Sequence, residues 1–182
     1  MFNPLHTELL VIDVQERLCS AMPEGDGDGE RSSVLRAIDN LLYVAGELAM
    51  PVTLTEQYPR GLGPTVSEVL AALPEHTTRF EKLAFSALRE SGFPARTRSN
   101  VLLVGMETHI CVALTALDLL ERGVGVTVVA DGCMSRRPAD RQRGLELCRA
   151  AGARIVSSET ALFGLIERAG TPLFKAISRR IR

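Results

Sequence analysis

Three side chains in this sequence could do chemistry together: a thiol, a carboxylate and an ammonium, each at the end of an apolar or β-prone run. Val101-Leu102-Leu103-Val104 has the composition of a strand buried on both faces. Gly105 breaks it, and an amphipathic pattern starts near Thr108, with Ile110, Leu114 and Leu117 on one stripe and Leu120 extending it. Thr108 or His109 begins that helix, and Thr108 is the better N-cap because its hydroxyl can accept a bond from a first-turn N–H. Cys111 then falls in the first helical turn, where unpaired N–H groups and the helix dipole favour thiolate over thiol. A thiol so placed is a candidate nucleophile.

Asp13 closes the run Glu8-Leu9-Leu10-Val11-Ile12-Asp13. A partly desolvated carboxylate there is suited to take a proton from Cys111 and return it later. Asp131 ends a similar run and competes for the role. Lys82 ends the alternating stretch Thr77 to Lys82, where it would favour the thiolate and stabilise charge developing on a substrate oxygen. Each has an ordinary reading too: a small core residue, a turn or helix cap, a solvent-facing lysine. Cys19, Cys133 and Cys148 lack the helix-start setting and read as packing residues. His109 lies two residues before Cys111, a spacing that points the two to different helix faces, so no Cys–His pair is expected. His6 and His76 read as loop residues.

The elements that must position these groups alternate. A strand over Glu8 to Asp13 precedes the acidic, glycine-rich stretch Ala21 to Ser33, read as a mobile loop. Asp26, Asp28 and Glu30 begin like a calcium loop, but Arg31 occupies the required glycine position. Val34 to Met50 is helical and Pro51 stops it. Val52 to Thr55 is a strand, followed by a loop from Glu56 to Pro64 and a short helix to Leu73, capped by Thr65 with Glu68 as in a capping box. After the Thr77–Lys82 strand come a short helix over Phe85 to Ser91, the Val101 strand and the Cys111 helix ending at Arg122 and Gly123. Val124 to Ala130 and Arg154 to Val156 are further strands. Pro138 to Ala151, Glu159 to Arg168 and Pro172 to Arg180 are helices. Strands alternating with helices predict an α/β fold with a parallel sheet covered on both faces, whose ligands bind outside the carboxyl ends of the strands. Asp13, Lys82 and Cys111 each lie at such an end.

Length and composition fit one domain, residues 1–182, with ordinary apolar and charged content (46% and 24%). A formal net charge of -1 argues against a nucleic-acid footprint, and the basic tail Lys175, Arg179, Arg180, Arg182 reads as a solvated helix end. No CxxC pair or zinc spacing is present, so neither metal nor other cofactor is expected. The segment from Met1 to His6 lacks a signal-peptide pattern and no run reaches membrane-spanning length. Free thiols and a cytoplasmic setting are the default.

Three stretches together resemble the isochorismatase-like cysteine hydrolases: Leu9-Leu10-Val11-Ile12-Asp13-Val14-Gln15, Phe80-Glu81-Lys82-Leu83-Ala84-Phe85-Ser86, and Gly105-Met106-Glu107-Thr108-His109-Ile110-Cys111-Val112. Asp131-Gly132-Cys133-Met134-Ser135-Arg136 and Glu159-Thr160-Ala161-Leu162-Phe163 also fit. The resemblance implies a three-layer sandwich around a mostly parallel six-stranded sheet, with Asp13, Lys82 and Cys111 as a catalytic triad. It implies a cis peptide between Met106 and Glu107, and an oxyanion hole formed by the backbone N–H groups of Glu107 and Cys111. The implied chemistry is cleavage of a small amide or related C–N bond through a Cys111 thioester.

The stretch Thr53-Leu54-Thr55-Glu56-Gln57-Tyr58 lacks the Asp-x-His and the further histidine with which nicotinamidases of the family bind a metal. Gln15, Gln57 and Tyr58 are expected to line a small-molecule pocket. Isochorismatase proper, which hydrolyses a vinyl ether, and a catalytically silent scaffold of the same fold are the alternatives. Neither nucleic acid nor membrane is an expected partner. Leu173, Phe174 and Ile177 suit either packing on the chain's own sheet or a homo-oligomer interface.

Overall fold

The strand runs are apolar on both faces, so each must be covered from two sides, and a parallel sheet between helical layers does this. In the computed structural model, which describes residues 2–94 and 98–181, the six strands are β1 (Thr7–Ile12), β2 (Val52–Gln57), β3 (Thr78–Lys82), β4 (Asn100–Met106), β5 (Gly125–Met134) and β6 (Arg154–Val156). They form one sheet in the order β3-β2-β1-β4-β5-β6, with every pairing parallel. The helices are α1 (Glu16–Ser20), α2 (Arg31–Glu47), α3 (Pro59–Leu62), α4 (Ser67–Ala72), α5 (Ala113–Glu121), α6 (Pro138–Ala150), α7 (Ser158–Ile166) and α8 (Pro172–Arg180).

Period-two alternation divides each strand between two cores. Leu9 and Val11 of β1 join Leu102, Val104 and Met106 of β4 beneath α2, α7 and α8. Leu10 and Ile12 join Val101 and Leu103 beneath α5 and α6. The strand order reverses direction between β1 and β4, which places the chain's switch point at their carboxyl ends. Asp13 follows one of these strands and Cys111 the other.

Gly105 does not end its strand. It pairs with Ile12 and continues to Met106 at φ +120°, a conformation open to glycine. A Cβ there would stand 2.0 Å from the Ile12 carbonyl oxygen. We expect Gly105→Ala to destabilise the chain by about 3 kcal/mol or more, since backbone blocks the methyl group. Chemical denaturation measures this, and an unchanged midpoint would contradict the register of β1 and β4.

β5 also runs past its expected end. Leu103 pairs with Val128 while Gly105 pairs with Cys133, so β5 carries a bulge, and Arg141 of α6 donates to the Ala130 and Cys133 carbonyls beside it. Glu56 and Gln57 lie in β2 rather than a loop, and Pro59–Leu62 makes one helical turn. Thr65 caps no helix, because its N–H and hydroxyl both donate to the buried Glu56 carboxylate (2.7 Å each), and Val66 becomes the N-cap of α4. The expected helix over Phe85 to Ser91 shrinks to the single turn Ala87–Arg89, since the Glu90 carboxylate takes the Leu83 N–H and the Thr115 hydroxyl takes the Ala87 N–H.

The expected stripe of α5 is rotated. Ala113, Ala116 and Leu119 face the sheet, while Leu114 is 37% exposed. The acidic loop is tied rather than free: Glu24, Asp26 and Asp28 pair with Arg31, Arg36 and Arg141. Ile177 is buried and Phe174 meets Phe163, so the C-terminal stripe packs on its own core. Arg180 is likewise docked, pairing with Asp39 and Asn40 and stacking on Tyr43, whereas Met1 and Arg182 lie outside the described residues. Among the described residues, no helix is long and apolar enough to cross a membrane.

Candidate active site

At the end of β1 the backbone turns through a left-handed residue, Asp13 (φ +52°), a conformation that Asp tolerates better than most side chains. Its carboxylate is fully buried. Oδ1 accepts from the Thr55 hydroxyl of β2 (2.7 Å) and Oδ2 from Lys82 Nζ (2.7 Å). Lys82 reaches it from the end of β3, across β2, with its side chain shielded from solvent. Its ammonium also donates to Gln57 Oε1 (2.6 Å) and to the Phe85 and Ala84 carbonyls (3.2 and 3.3 Å). A lysine so enclosed is no surface cation.

The turn after β4 brings the thiol to this pair. The Met106–Glu107 peptide is cis, and Thr108–Val112 forms a π turn in which the Val112 N–H reaches the Glu107 carbonyl. Glu107 rather than Thr108 is the N-cap, and among the described residues the buried Thr108 hydroxyl has no hydrogen-bond partner. Gly144 of α6 seats the turn, since a Cβ there would meet the His109 and Thr108 backbone at 2.7–2.8 Å. Cys111 is 6% exposed and close enough to Asp13 and Lys82 for both charges to act on its thiol. The Glu107 side chain points elsewhere, to Arg136, and His109 Nδ1 meets Ser135 Oγ at 3.0 Å.

Electrostatics correct the expected thiolate. Burial and then the Asp13 charge push the Cys111 thiol up to about 12, and Lys82 offsets this only in part. Burial and the neighbouring carboxylate thus oppose the helix start and favour the thiol over the thiolate. Alkylation of Cys111 by iodoacetamide is therefore expected to climb about tenfold per pH unit from pH 7 to 10 without a plateau. A plateau below pH 8, followed by peptide mapping, would show a preformed thiolate instead.

The remaining sequence candidates divide. The Gln15 amide brackets backbone, donating to the Gln57 and Gly63 carbonyls and accepting from Gln57 N–H. Gln57 positions the ammonium and donates to the Leu83 carbonyl (2.7 Å). Tyr58, half exposed at φ +37°, lies over Gly61 and lines a cleft of about 370 Å³ with Arg60, Lys82, Leu83 and Glu90. Asp131 is not at this centre. Its carboxylate caps α7, accepting from Ser158 N–H and Oγ (2.6 Å each). Cys19, Cys133 and Cys148 are free and buried as packing residues. Thr55 was missed because nothing in the sequence states that β2 lies beside β1.

Fold and site together define an α/β protein with a thiol, a carboxylate and an ammonium gathered at the switch point of a parallel sheet. Residues 7–160 match the Isochorismatase domain, and the chain belongs to that family. The secreted isochorismatase effector Isc1 of Phytophthora sojae is 38% identical over 189 residues, covering 98% of this chain and 86% of that protein. Isochorismatase domain-containing protein 2 of Bos taurus is 42% identical over 145 residues, covering 78% and 70%. The structure of MAR1 ribonuclease from Caenorhabditis elegans superposes with a TM-score of 0.87 at 35% identity, covering 98% of this chain and 91% of that one. Family membership supports a hydrolase-type function.

Proposed function

We propose that this chain is a cysteine hydrolase cleaving a small amide or related C–N bond, with Asp13, Lys82 and Cys111 as its triad. The observation that carries the reading is the buried Asp13–Lys82 ion pair (2.7 Å) against the Cys111 thiol at the switch point. Such a pair is costly to bury and adds little as stability alone, whereas a nucleophile needs both a proton acceptor and a cation.

Cys111 passes its proton to Asp13 as sulfur attacks the carbonyl carbon. The tetrahedral oxyanion is held by the Glu107 and Cys111 N–H groups. The C–N bond breaks, Asp13 gives its proton to the leaving amine, and a Cys111 thioester remains. Water loses a proton to Asp13 and adds to the thioester; collapse releases the acid and the proton returns to sulfur. Because burial and the Asp13 charge favour the thiol over the thiolate, proton transfer accompanies attack in this mechanism. The Tyr58–Leu83 cleft, which Lys82 also lines, is the side from which we expect a small molecule to approach. Four unpaired, buried cysteines suit a reducing, cytoplasmic setting.

A turnover screen of small amides, ureides and isochorismate tests the reading. Release of amine or ammonia from an amide supports it. Turnover of isochorismate alone would favour vinyl ether hydrolysis, and failure across the panel would favour a scaffold.

A further inference from the structure

The nucleophile's helix carries a second set of polar groups that the triad does not use. Thr115, Asp118 and Arg122 follow Cys111 by four, seven and eleven residues, the spacing of one helix face. All three reach the segment from Lys82 to Glu90. Thr115 Oγ1 accepts from Ala87 N–H (3.1 Å), and Asp118 Oδ2 accepts from Ser86 Oγ (2.6 Å). Arg89 donates to both Asp118 oxygens (2.8 and 2.9 Å), and Arg122 donates to the Leu88 carbonyl (3.0 Å). Thr115 and Ser86 are buried, so these bonds are shielded from water.

The same segment supplies the Ala84 and Phe85 carbonyls that hold the Lys82 ammonium. At its other end Glu90 accepts from Leu83 and Ala84 N–H (2.7 and 2.9 Å). An ammonium has three donors, and here two go to Asp13 and Gln57 while the third is shared by the two carbonyls. Those carbonyls are one and two residues from Ser86, the first residue anchored to α5.

We propose that Thr115 and Asp118 are positioning residues that register Lys82 against Cys111 by fixing the Ala84–Phe85 carbonyls to the nucleophile's own helix. One rigid element then carries the sulfur and sets the place of the cation beside it. Arg89 is largely exposed and adds little by itself, so the weight falls on the buried Thr115–Ala87 and Asp118–Ser86 bonds. The inference rests on the triad reading for its catalytic meaning, but the contact it predicts is tested without any substrate.

The test is the rate of Cys111 alkylation by iodoacetamide at pH 9, read by peptide mass spectrometry, with thermal melting as the folding control. Thr115→Val keeps the shape and removes the acceptor, whereas Thr115→Ser keeps the acceptor. With the cation displaced, the thiolate fraction falls, so Thr115→Val and Asp118→Asn should each slow alkylation about threefold or more. Thr115→Ser should stay within about 1.5-fold of the parent. In an Asp13→Asn/Lys82→Met background, which has no ammonium, Thr115→Val should change nothing.

Equal rates for Thr115→Val and Thr115→Ser would overturn the inference. So would faster alkylation in Thr115→Val, which would mean that the bonds merely shield the thiol. A slowing that persists without Lys82 would also overturn it. None of these outcomes bears on whether the chain hydrolyses an amide, which the turnover screen decides separately.

Discussion

Replacing Cys111 with alanine is expected, on the proposed mechanism, to lower turnover of any amide the chain hydrolyses by about 10⁴-fold or more, the scale on which removal of a covalent nucleophile acts. The loss should fall on kcat, because the substitution leaves the Tyr58–Leu83 cleft intact. Asp13 and Lys82 would keep their 2.7 Å pair and could still polarise water, so a small residual rate is expected. The fold should survive, since removing one buried sulfur leaves a minor cavity costing on the order of 1 kcal/mol. Steady-state kinetics beside a melting curve separate the two effects. A variant that melts normally and keeps full turnover would remove Cys111 from the mechanism.

Lys82→Met is expected to have the largest effect on stability. The ammonium is sealed from solvent and is the charged partner of a carboxylate that is itself fully buried. Removing one member of such a pair costs about 3–5 kcal/mol, because the other charge is left desolvated. Asp13→Asn alone should cost a similar amount by stranding the ammonium. The double variant Asp13→Asn/Lys82→Met should then be less destabilised than the two losses summed, by about 2 kcal/mol or more, since neither charge is left alone. Additive losses would mean that the pair is not coupled. Activity should fall as well, because Lys82 is the cation that offsets the upward push on the Cys111 thiol.

Much of the architecture was legible because buried parallel strands leave a plain mark. The runs ending at Ile12 and Lys82 lie within a residue of their expected bounds, and the helices Pro138–Ala150 and Pro172–Arg180 nearly coincide with the expected ones. What failed was local and has local causes. Glycine normally breaks a strand, but Gly105 is there because β1 passes too close for any side chain. Thr65 and Thr108 look like helix caps, yet a buried Glu56 captures one and a π turn leaves the other unused.

The site divides in the same way. The positions of Asp13, Lys82 and Cys111 at strand ends followed from the sequence, but their meeting depends on β2 lying between β1 and β3, and on a switch point at β4. The expectation of a favoured thiolate rested on the helix start, whereas burial beside the Asp13 carboxylate pushes the Cys111 thiol up. Thr55 and Thr115 escaped notice because each bonds to a partner far away in the chain. Gln15 and Gln57, expected along the pocket, hold backbone and the Lys82 ammonium respectively.

The central claim is that the reaction passes through a bond between carbon and the sulfur of Cys111. It is tested most directly by acid-quenching the enzyme during turnover of a hydrolysed amide and measuring the intact mass, followed by peptide mapping. The account predicts a mass increase equal to the acyl group on the peptide carrying Cys111, lost on further incubation and absent in Cys111→Ala. Sustained turnover with no such adduct, together with undiminished activity in Cys111→Ala, would contradict it.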